Sequence, residues 1–189
     1  MRPVSIALVH YPVLDGRGDL VTTAVTNLDV HDLARSARTY GVKDYFIVHP
    51  IAAQRDLVER IREHWTSGSS GRRIPDRREA LSVLRIVPSL EEAIEAMGGR
   101  ARVEVWVTAA RAAEGVTSFR EARLRLEREN EAPVLLVFGT GWGLALRVMD
   151  VADRRLAPIR ADRDDGYNHL SVRAACAIAL DRLLGDRDG

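Results

Sequence analysis

The hydrophobic positions of the chain follow two alternating patterns. Short, nearly continuous apolar runs have the length of strands that are buried on both faces of a parallel sheet. These runs occupy positions 4–9, 44–48, 84–87, 103–107 and 134–138. The segments between them carry apolar residues at helical spacing, with polar residues on the opposite side. Strands that alternate with helices in this way predict an α/β fold with a mainly parallel sheet and helices on both faces.

Composition narrows the class of protein. The 189 residues are 46% hydrophobic and 29% charged, and because they show no repeat we expect a single domain over 1–189. Cys176 is the only cysteine, which argues against a disulfide framework and against a metal site. The N-terminus lacks a signal-peptide pattern and no apolar run could span a membrane, so we expect a cytoplasmic protein. The net charge of +1 does not by itself indicate a nucleic-acid partner.

The apolar run at 134–138 ends in a turn with glycine at every second position. Gly139, Gly141 and Gly143 would let the backbone approach a ligand closely and turn its N–H groups outward. The spacing G-x-G-x-G differs from the G-x-G-x-x-G of dinucleotide-binding domains, and the expected acidic residue is missing near the next strand. This disfavours a Rossmann-type oxidoreductase. A tight connection without any ligand is the alternative interpretation.

Further features follow this turn in a characteristic order. The pattern predicts a short strand at 156–160, a polar loop at 161–169 and an alanine-rich helix from position 170. The helix start reads Asn168-His169-Leu170-Ser171-Val172. This order resembles the C-terminal half of the SPOUT, or α/β-knot, RNA methyltransferases, clearly over 133–184 and more weakly back to position 27. The resemblance implies a C-terminal trefoil knot that holds S-adenosylmethionine, although His169 stands where the family usually has asparagine.

The resemblance also implies which residues hold the cofactor. In the family, backbone groups of three loops do so. The matching positions are Thr108 and Ala109, then Gly139, Thr140, Gly141, Trp142 and Gly143, and then Ile159, Asn168, His169 and Leu170. Trp142 would form a wall of the pocket, or else simply pack beside the turn. Methyl transfer from this cofactor requires no metal.

Four residues are candidates for catalytic roles: Arg35, Arg160, Asp165 and His169. Arg35 matches an arginine that the ribose-methylating branch of the family places near the target hydroxyl, although Thr26 and Asp29 replace the two asparagines of that pattern. Asp165 or His169 would serve as a base for the proton of the acceptor. Simpler roles are open for three of them: a surface ion pair for Arg35, a turn for Asp165 and a helix cap for His169.

A basic segment at 66–78 is the candidate RNA contact. It is predicted to be a flexible loop, and its arginines are Arg72, Arg73, Arg77 and Arg78. Clustered arginines either bind RNA phosphates or form a solvated surface.

The terminal helix is apolar on nearly every side, which predicts wide burial and a homodimer.

Together these features predict an enzyme that transfers a methyl group from S-adenosylmethionine to RNA, either tRNA or rRNA, with neither a metal nor a membrane as partner. The alternative is a non-catalytic nucleotide- or RNA-binding α/β module.

Overall fold

A computed structural model describes residues 1–67, 69–108, 115–128, 131–162 and 165–186 of the chain. Its strands are β1 (Val4–Val9), β2 (Val13–Leu14), β3 (Leu20–Val21), β4 (Tyr45–Val48), β5 (Leu84–Val87), β6 (Glu104–Val107), β7 (Val134–Gly139) and β8 (Arg154–Arg155). Its α-helices are α1 (Asn27–Thr39), α2 (Ala52–Thr66), α3 (Ser69–Arg73), α4 (Pro75–Leu81), α5 (Leu90–Ala96), α6 (Phe119–Leu126), α7 (Leu146–Asp150) and α8 (Val172–Leu184). A short 3₁₀ helix spans Arg100–Arg102.

Within the described ranges, six strands form one parallel sheet in the order β5-β4-β1-β7-β6-β8. Strand β1 lies in the middle and all six of its residues are buried. Ile6 and Leu8 point into one core with α1, α6 and α8, whereas Ala7 and Val9 point into another with α5 and α7. The prediction of a mainly parallel sheet with helices on both faces is therefore confirmed.

The segment at 66–78 is not the predicted loop. Its described residues form the end of α2, then α3 and α4, and Pro75 occupies the first turn of α4, where its missing N–H costs nothing. Gly71 packs so closely on the end of α2 that an added Cβ would lie 1.9 Å from the carbonyl oxygen of Trp65. This packing between successive helices supports α3, although glycine and serine have low helix propensity.

The strand predicted at 156–160 is also wrong. The edge strand β8 covers only Arg154–Arg155, and Leu156 adds one isolated bridge to Thr117. Two causes are visible: the neighbouring strand β6 ends at Val107, and Pro158 has no N–H with which to extend a ladder.

The terminal helix α8 begins at Val172, two residues later than predicted, because Ser171 caps it by accepting a hydrogen bond from the Ala174 N–H. Its buried stripe comprises Cys176, Ala179, Leu180 and Leu183, and it packs against α1 and α6. Other apolar positions on α8 are only half-buried in the single chain, so the predicted burial on nearly every side is wrong for one copy. The Cys176 thiol is buried in this stripe.

Candidate active site

The glycine turn after β7 uses most of its amide groups within the chain. The Thr140 N–H donates to the Val9 carbonyl at 3.2 Å and the Gly143 N–H donates to the Thr140 carbonyl at 3.1 Å. The Trp142 N–H donates to the carbonyl of Leu14 at 2.9 Å. The expectation that this turn directs its N–H groups toward a ligand is therefore wrong for Thr140, Trp142 and Gly143.

Close packing explains two of the three glycines. A Cβ at Gly139 would lie 2.8 Å from the Leu144 backbone nitrogen. A Cβ at Gly141, where φ is +60°, would lie 2.8 Å from the Leu14 carbonyl oxygen. Gly143 differs, since its φ of +111° comes with open space at the Cβ position. Only at Gly143 does the missing side chain leave room that a ligand could use.

The Trp142 indole connects the glycine turn to the segment before α8. It is 58% exposed, and its ring centroid lies 5.8 Å from that of His169, with a 42° angle between the planes. It also lies across the β2–β3 hairpin, because a Cβ at Gly16 would approach the indole to 3.2 Å. Two of the three segments expected to hold a cofactor thus meet at the carboxyl edge of the sheet.

The other candidate cofactor positions have mixed environments. Thr108 directly follows β6, and its hydroxyl donates to the Val137 carbonyl at 3.1 Å. Ile159 is half-buried and packs against the hydrophobic core. Asn168 is half-buried. Ala109 lies outside the described residues.

The segment before α8 presents an exposed surface. Arg160, Asp165 and Leu170 are exposed, and Leu170 retains 44% of its accessible area. Asp165 forms a turn in which its carboxylate accepts the Tyr167 N–H at 3.2 Å, as its alternative role predicted. Tyr167 is 77% exposed, and sequence reasoning missed it. An exposed tyrosine inside a polar loop was the available signal.

Arg35 is not brought together with these groups. It is exposed on α1 and lines a groove between α1 and α4, and no residue of the glycine turn or of the segment before α8 contributes to that groove. The residues that replace the two family asparagines have structural roles. Thr26 caps α1 by accepting the Asp29 N–H at 3.1 Å, and the Asp29 carboxylate pairs with Arg173 at 2.9 Å.

Two buried histidines beside the glycine turn were not predicted. His10 and His49 follow β1 and β4, and their ring centroids are 5.4 Å apart. The Thr23 hydroxyl hydrogen-bonds both to His10 Nδ1 at 3.1 Å and to the hydroxyl of Thr140. A histidine directly after each of two apolar runs was the sequence signal, since ligands collect at the carboxyl ends of parallel strands.

Both imidazoles are held neutral. His49 Nδ1 accepts the Ile51 N–H at 3.1 Å, so the proton is on Nε2, which donates to the Thr23 carbonyl at 3.0 Å. Burial lowers the pKa of His49. Burial, reinforced by the neighbouring His49, lowers the pKa of His10 to about 4. Among the described residues nothing pairs with His10 Nε2.

The predicted RNA-binding arginines are spread over two short helices. Arg72 and Arg73 are exposed on α3, and Arg78 is exposed on α4. Arg77 is half-buried, with its guanidinium carbon 4.6 Å from the centre of the Trp65 ring. The four therefore share one region of the surface but not one environment.

Over the described ranges, no group of three or more His, Cys, Asp or Glu side chains is arranged to hold a metal ion. None of the helices formed by these residues combines the length and apolar character that crossing a membrane requires.

Comparison with known proteins identifies the family. The profile of a family described as "SAM-dependent RNA methyltransferase", where SAM is S-adenosylmethionine, matches residues 3–185. The chain belongs to this family. The match covers the sheet, the glycine turn and α8 together, so the resemblance to SPOUT RNA methyltransferases is confirmed.

Two relatives extend the comparison. The chain is 45% identical over 185 residues to a "tRNA (guanine-N(1)-)-methyltransferase" from Nitratidesulfovibrio vulgaris, covering 98% of this chain and 43% of that protein. This family member therefore spans less than half the length of that relative. It is also 39% identical over 183 residues to an uncharacterized protein from Aquifex aeolicus, covering 96% of this chain and 88% of that protein.

A solved structure supports the fold. The crystal structure of a TrmH/SpoU tRNA modifying enzyme from A. aeolicus superposes with a TM-score of 0.57 at 12% identity. The superposition covers 100% of this chain and 77% of the other. The family member thus has the SPOUT methyltransferase fold that the sequence pattern predicts.

Proposed function

We propose that this chain transfers a methyl group from S-adenosylmethionine to RNA. Family membership over residues 3–185 gives the reaction class. Within that class, one geometric observation carries the proposal: Trp142 of the glycine turn meets His169 of the segment before α8, with 5.8 Å between ring centroids. Two segments far apart in sequence form one exposed aromatic surface at the carboxyl edge of the sheet, where α/β proteins bind ligands.

The residues at this edge fit S-adenosylmethionine. The exposed indole of Trp142 and the apolar side chain of Leu170 suit the planar, partly apolar adenosine. The Asp165 carboxylate suits the positive charge of the sulfonium, and the open space at Gly143 allows close approach to the backbone. When bound, the cofactor supplies an electrophilic methyl group.

The chain would contribute orientation and proton transfer. We assign the base to Asp165 or His169, both exposed on the segment that also carries Arg160. Arg160 would hold the RNA phosphate near the acceptor. Arg35 lies in the groove between α1 and α4, so we assign it to RNA contact rather than to the acceptor atom.

RNA is the proposed substrate class, with tRNA favoured over rRNA because the N. vulgaris relative is described as a tRNA methyltransferase. The guanine N1 position is not carried over, since the match covers 43% of that relative. We propose that the reaction occurs in the cytoplasm, where tRNA is abundant.

Calorimetry tests the cofactor site. The chain should bind S-adenosylmethionine and not NAD, and Trp142→Ala should weaken S-adenosylmethionine binding about tenfold, as loss of a stacking partner does. Leu124→Ala is the matched control, because Leu124 is 55% exposed on α6, away from this edge. Equal affinities for the wild type and Trp142→Ala would contradict the assignment.

Transfer of labelled methyl groups to total RNA separates an enzyme from a non-catalytic RNA-binding module. We expect the wild type to incorporate label, and the rate of incorporation to fall at least tenfold in Asp165→Asn or in His169→Ala. A positioned base typically contributes more than tenfold to a rate. Cofactor and RNA binding without incorporation would favour the non-catalytic module.

A homodimer is also proposed. Ala174, Ala177 and Ile178 form a half-buried apolar strip on α8 that a second copy would cover. Light scattering should therefore give a mass of twice 21.0 kDa, and Ile178→Glu should give 21.0 kDa. A wild-type particle of 21.0 kDa at micromolar concentration would contradict the dimer.

We further propose that the arginines of α3 and α4 contact RNA, with Arg72, Arg73 and Arg78 on its phosphates. Their combined replacement by glutamine should leave cofactor affinity unchanged and reduce the slope of log affinity against log salt. Each lost contact should contribute about 0.7 to 0.9 to that reduction. An unchanged slope would identify these arginines as solvated.

A further inference from the structure

Helices α1, α2 and α4 enclose a groove of about 410 Å³ on the side of the molecule that carries the basic segment. The wall residues that matter here are His31, Arg60, His64, Trp65 and Arg77. Pockets that hold small ligands have volumes of about 300 to 1,000 Å³. The groove is therefore large enough for a ligand of nucleotide size.

Trp65 organises the aromatic part of this groove. The edges of its indole meet His31 and His64, with centroids 5.6 and 5.2 Å away and ring planes nearly perpendicular. The Arg77 guanidinium lies over the indole, with its central carbon 4.6 Å from the ring centre. Because the indole is also packed on the hydrophobic core, it holds this planar cation in place.

Neither arginine of the groove is held by a carboxylate. In the part of the chain that the structure describes, neither Arg60 nor Arg77 forms an ion pair. Glu59 is paired with Arg62 and Asp32 with Arg173, whereas the other carboxylates near the two arginines in sequence are exposed to solvent: Asp56, Glu63 and Asp76. The groove thus combines two guanidinium groups with aromatic rings, which suits a phosphate joined to a planar base.

His31 adds a hydrogen-bonding group. Its Nδ1 is buried, and the described residues offer it no hydrogen-bond partner. Burial lowers the pKa of His31, and the positive charge of Arg77 lowers it further. The imidazole is therefore neutral near pH 7 and able either to donate or to accept a hydrogen bond at the edge of a base.

We propose that this groove binds one unpaired nucleotide of the RNA substrate, with its base stacked on the Arg77 guanidinium above Trp65 and its phosphate beside Arg60. The inference rests on the proposed RNA methyltransferase function. Unpaired RNA bases commonly stack on arginine planes and aromatic rings while their edges are read by hydrogen bonds. Arg77 also lines the neighbouring groove that contains Arg35, so RNA contact would continue along α1.

Fluorescence anisotropy of the full chain with a short, labelled single-stranded RNA of mixed sequence tests this site. Arg77→Gln and Arg60→Gln should each weaken RNA binding about tenfold. Arg60→Gln should also reduce the salt slope by about 0.7. Arg182→Gln is the matched control: it removes the same charge from a guanidinium 5.2 Å from the Phe119 ring, on the α6 and α8 side of the molecule. This control should retain wild-type RNA affinity.

Arg60 is exposed, so Arg60→Gln should leave the fold intact and keeps the test valid even if Arg77→Gln unfolds. Calorimetry should show wild-type affinity for S-adenosylmethionine in all three variants. Wild-type RNA affinity in both groove variants would overturn the inference. The inference would also be overturned if Arg77→Gln lost affinity for AMP or UMP but kept wild-type affinity for RNA.

The two proposals fail differently. A wild-type chain that methylates RNA, with groove variants that bind RNA normally, would refute the groove alone. A wild-type chain that neither methylates nor binds RNA would refute both the function and the groove.

Discussion

Arg173 in the first turn of α8 forms an ion pair with Asp29 in α1, with 2.9 Å between Nη1 and Oδ1. The two residues are 144 positions apart in sequence, so the pair joins an N-terminal helix to the C-terminal helix of the chain. The Asp29 side chain is only 6% exposed and also accepts a hydrogen bond from the Thr26 hydroxyl at 2.6 Å. A carboxylate in this position depends on its cation for stability.

Arg173→Met should destabilise the protein by about 2 to 3 kcal/mol, because it leaves a buried carboxylate without its partner. Asp29→Asn should cost less, since the amide keeps the bond to Thr26. Urea unfolding of both single variants and the double variant should give a coupling energy above about 1 kcal/mol. The exposed pair of Arg38 with Glu79 is the control and should give less than about 1 kcal/mol. Equal coupling in the two pairs would contradict the structural role assigned to Asp29.

The elements that the sequence predicts well are those that local patterns determine. Strand β1 reads as one apolar run because both of its faces are covered by helices, so no alternation is needed. The helix α6 begins with a capping box between Ser118 and Glu121, and both of its hydrogen bonds are present. Patterns of this kind depend on neighbouring residues, and they locate most of the sheet and the long helices.

The parts that the sequence does not predict depend on packing between elements. Gly71 of α3 packs onto the Trp65 carbonyl at the end of α2, and Arg77 of α4 lies over the Trp65 ring. The glycine turn was read as a ligand cradle, yet Gly139 and Gly141 are required by contacts with Leu144 and with the hairpin at Leu14. Sequence spacing does not distinguish a glycine that admits a ligand from one that admits another part of the same chain.

Gly141 offers a direct test of that distinction. Asparagine tolerates positive φ, so Gly141→Asn mainly adds a Cβ that lies 2.8 Å from the Leu14 carbonyl oxygen. Gly41→Asn is the control, because Gly41 has a similar φ of +69° and open space around it. We expect Gly141→Asn to be less stable than the control by about 1 to 3 kcal/mol in urea unfolding.

A bulky residue at Gly141 would therefore be a poor probe of cofactor binding alone, since the fold would be affected first. If the two asparagine variants prove equally stable, the hairpin yields easily and the close contact has no energetic role.

The buried histidines should make stability depend on pH. The pKa of His10 is lowered from 6.5 to about 4 by burial and by His49, so the unfolded chain binds a proton more readily than the folded one. This contribution is fully present above pH 6.5 and is lost as the pH falls toward 4. The free energy of unfolding that is lost between pH 6.5 and pH 5 amounts to roughly 2 kcal/mol, and the lowered pKa of His49 acts in the same direction.

Urea midpoints measured from pH 5 to pH 7 check this expectation, because the carboxylates with lowered pKa, such as Glu104, lose their contribution only at lower pH. Burial by itself would raise the pKa of Glu104, but the hydrogen bond from Trp106 and the ion pair with Arg2 together lower it. His10→Gln should flatten the dependence. An equally steep dependence in His10→Gln would place the titrating group elsewhere.

The Cys176 thiol provides a final test of how α8 is packed. Burial against α1 and α6 raises its pKa to about 12, so almost no thiolate is present near pH 8. Labelling can be followed with a disulfide reagent whose light absorbance increases when it reacts with a thiol. We expect this reagent to label the native protein only as fast as the chain unfolds. The labelling rate should rise with urea in parallel with the unfolding rate. Because Cys176 is the only cysteine, Cys176→Ser gives the blank directly. Rapid stoichiometric labelling of the native chain would mean that α8 separates from the core far more often than global unfolding permits, and the buried stripe of α8 would then be a transient contact.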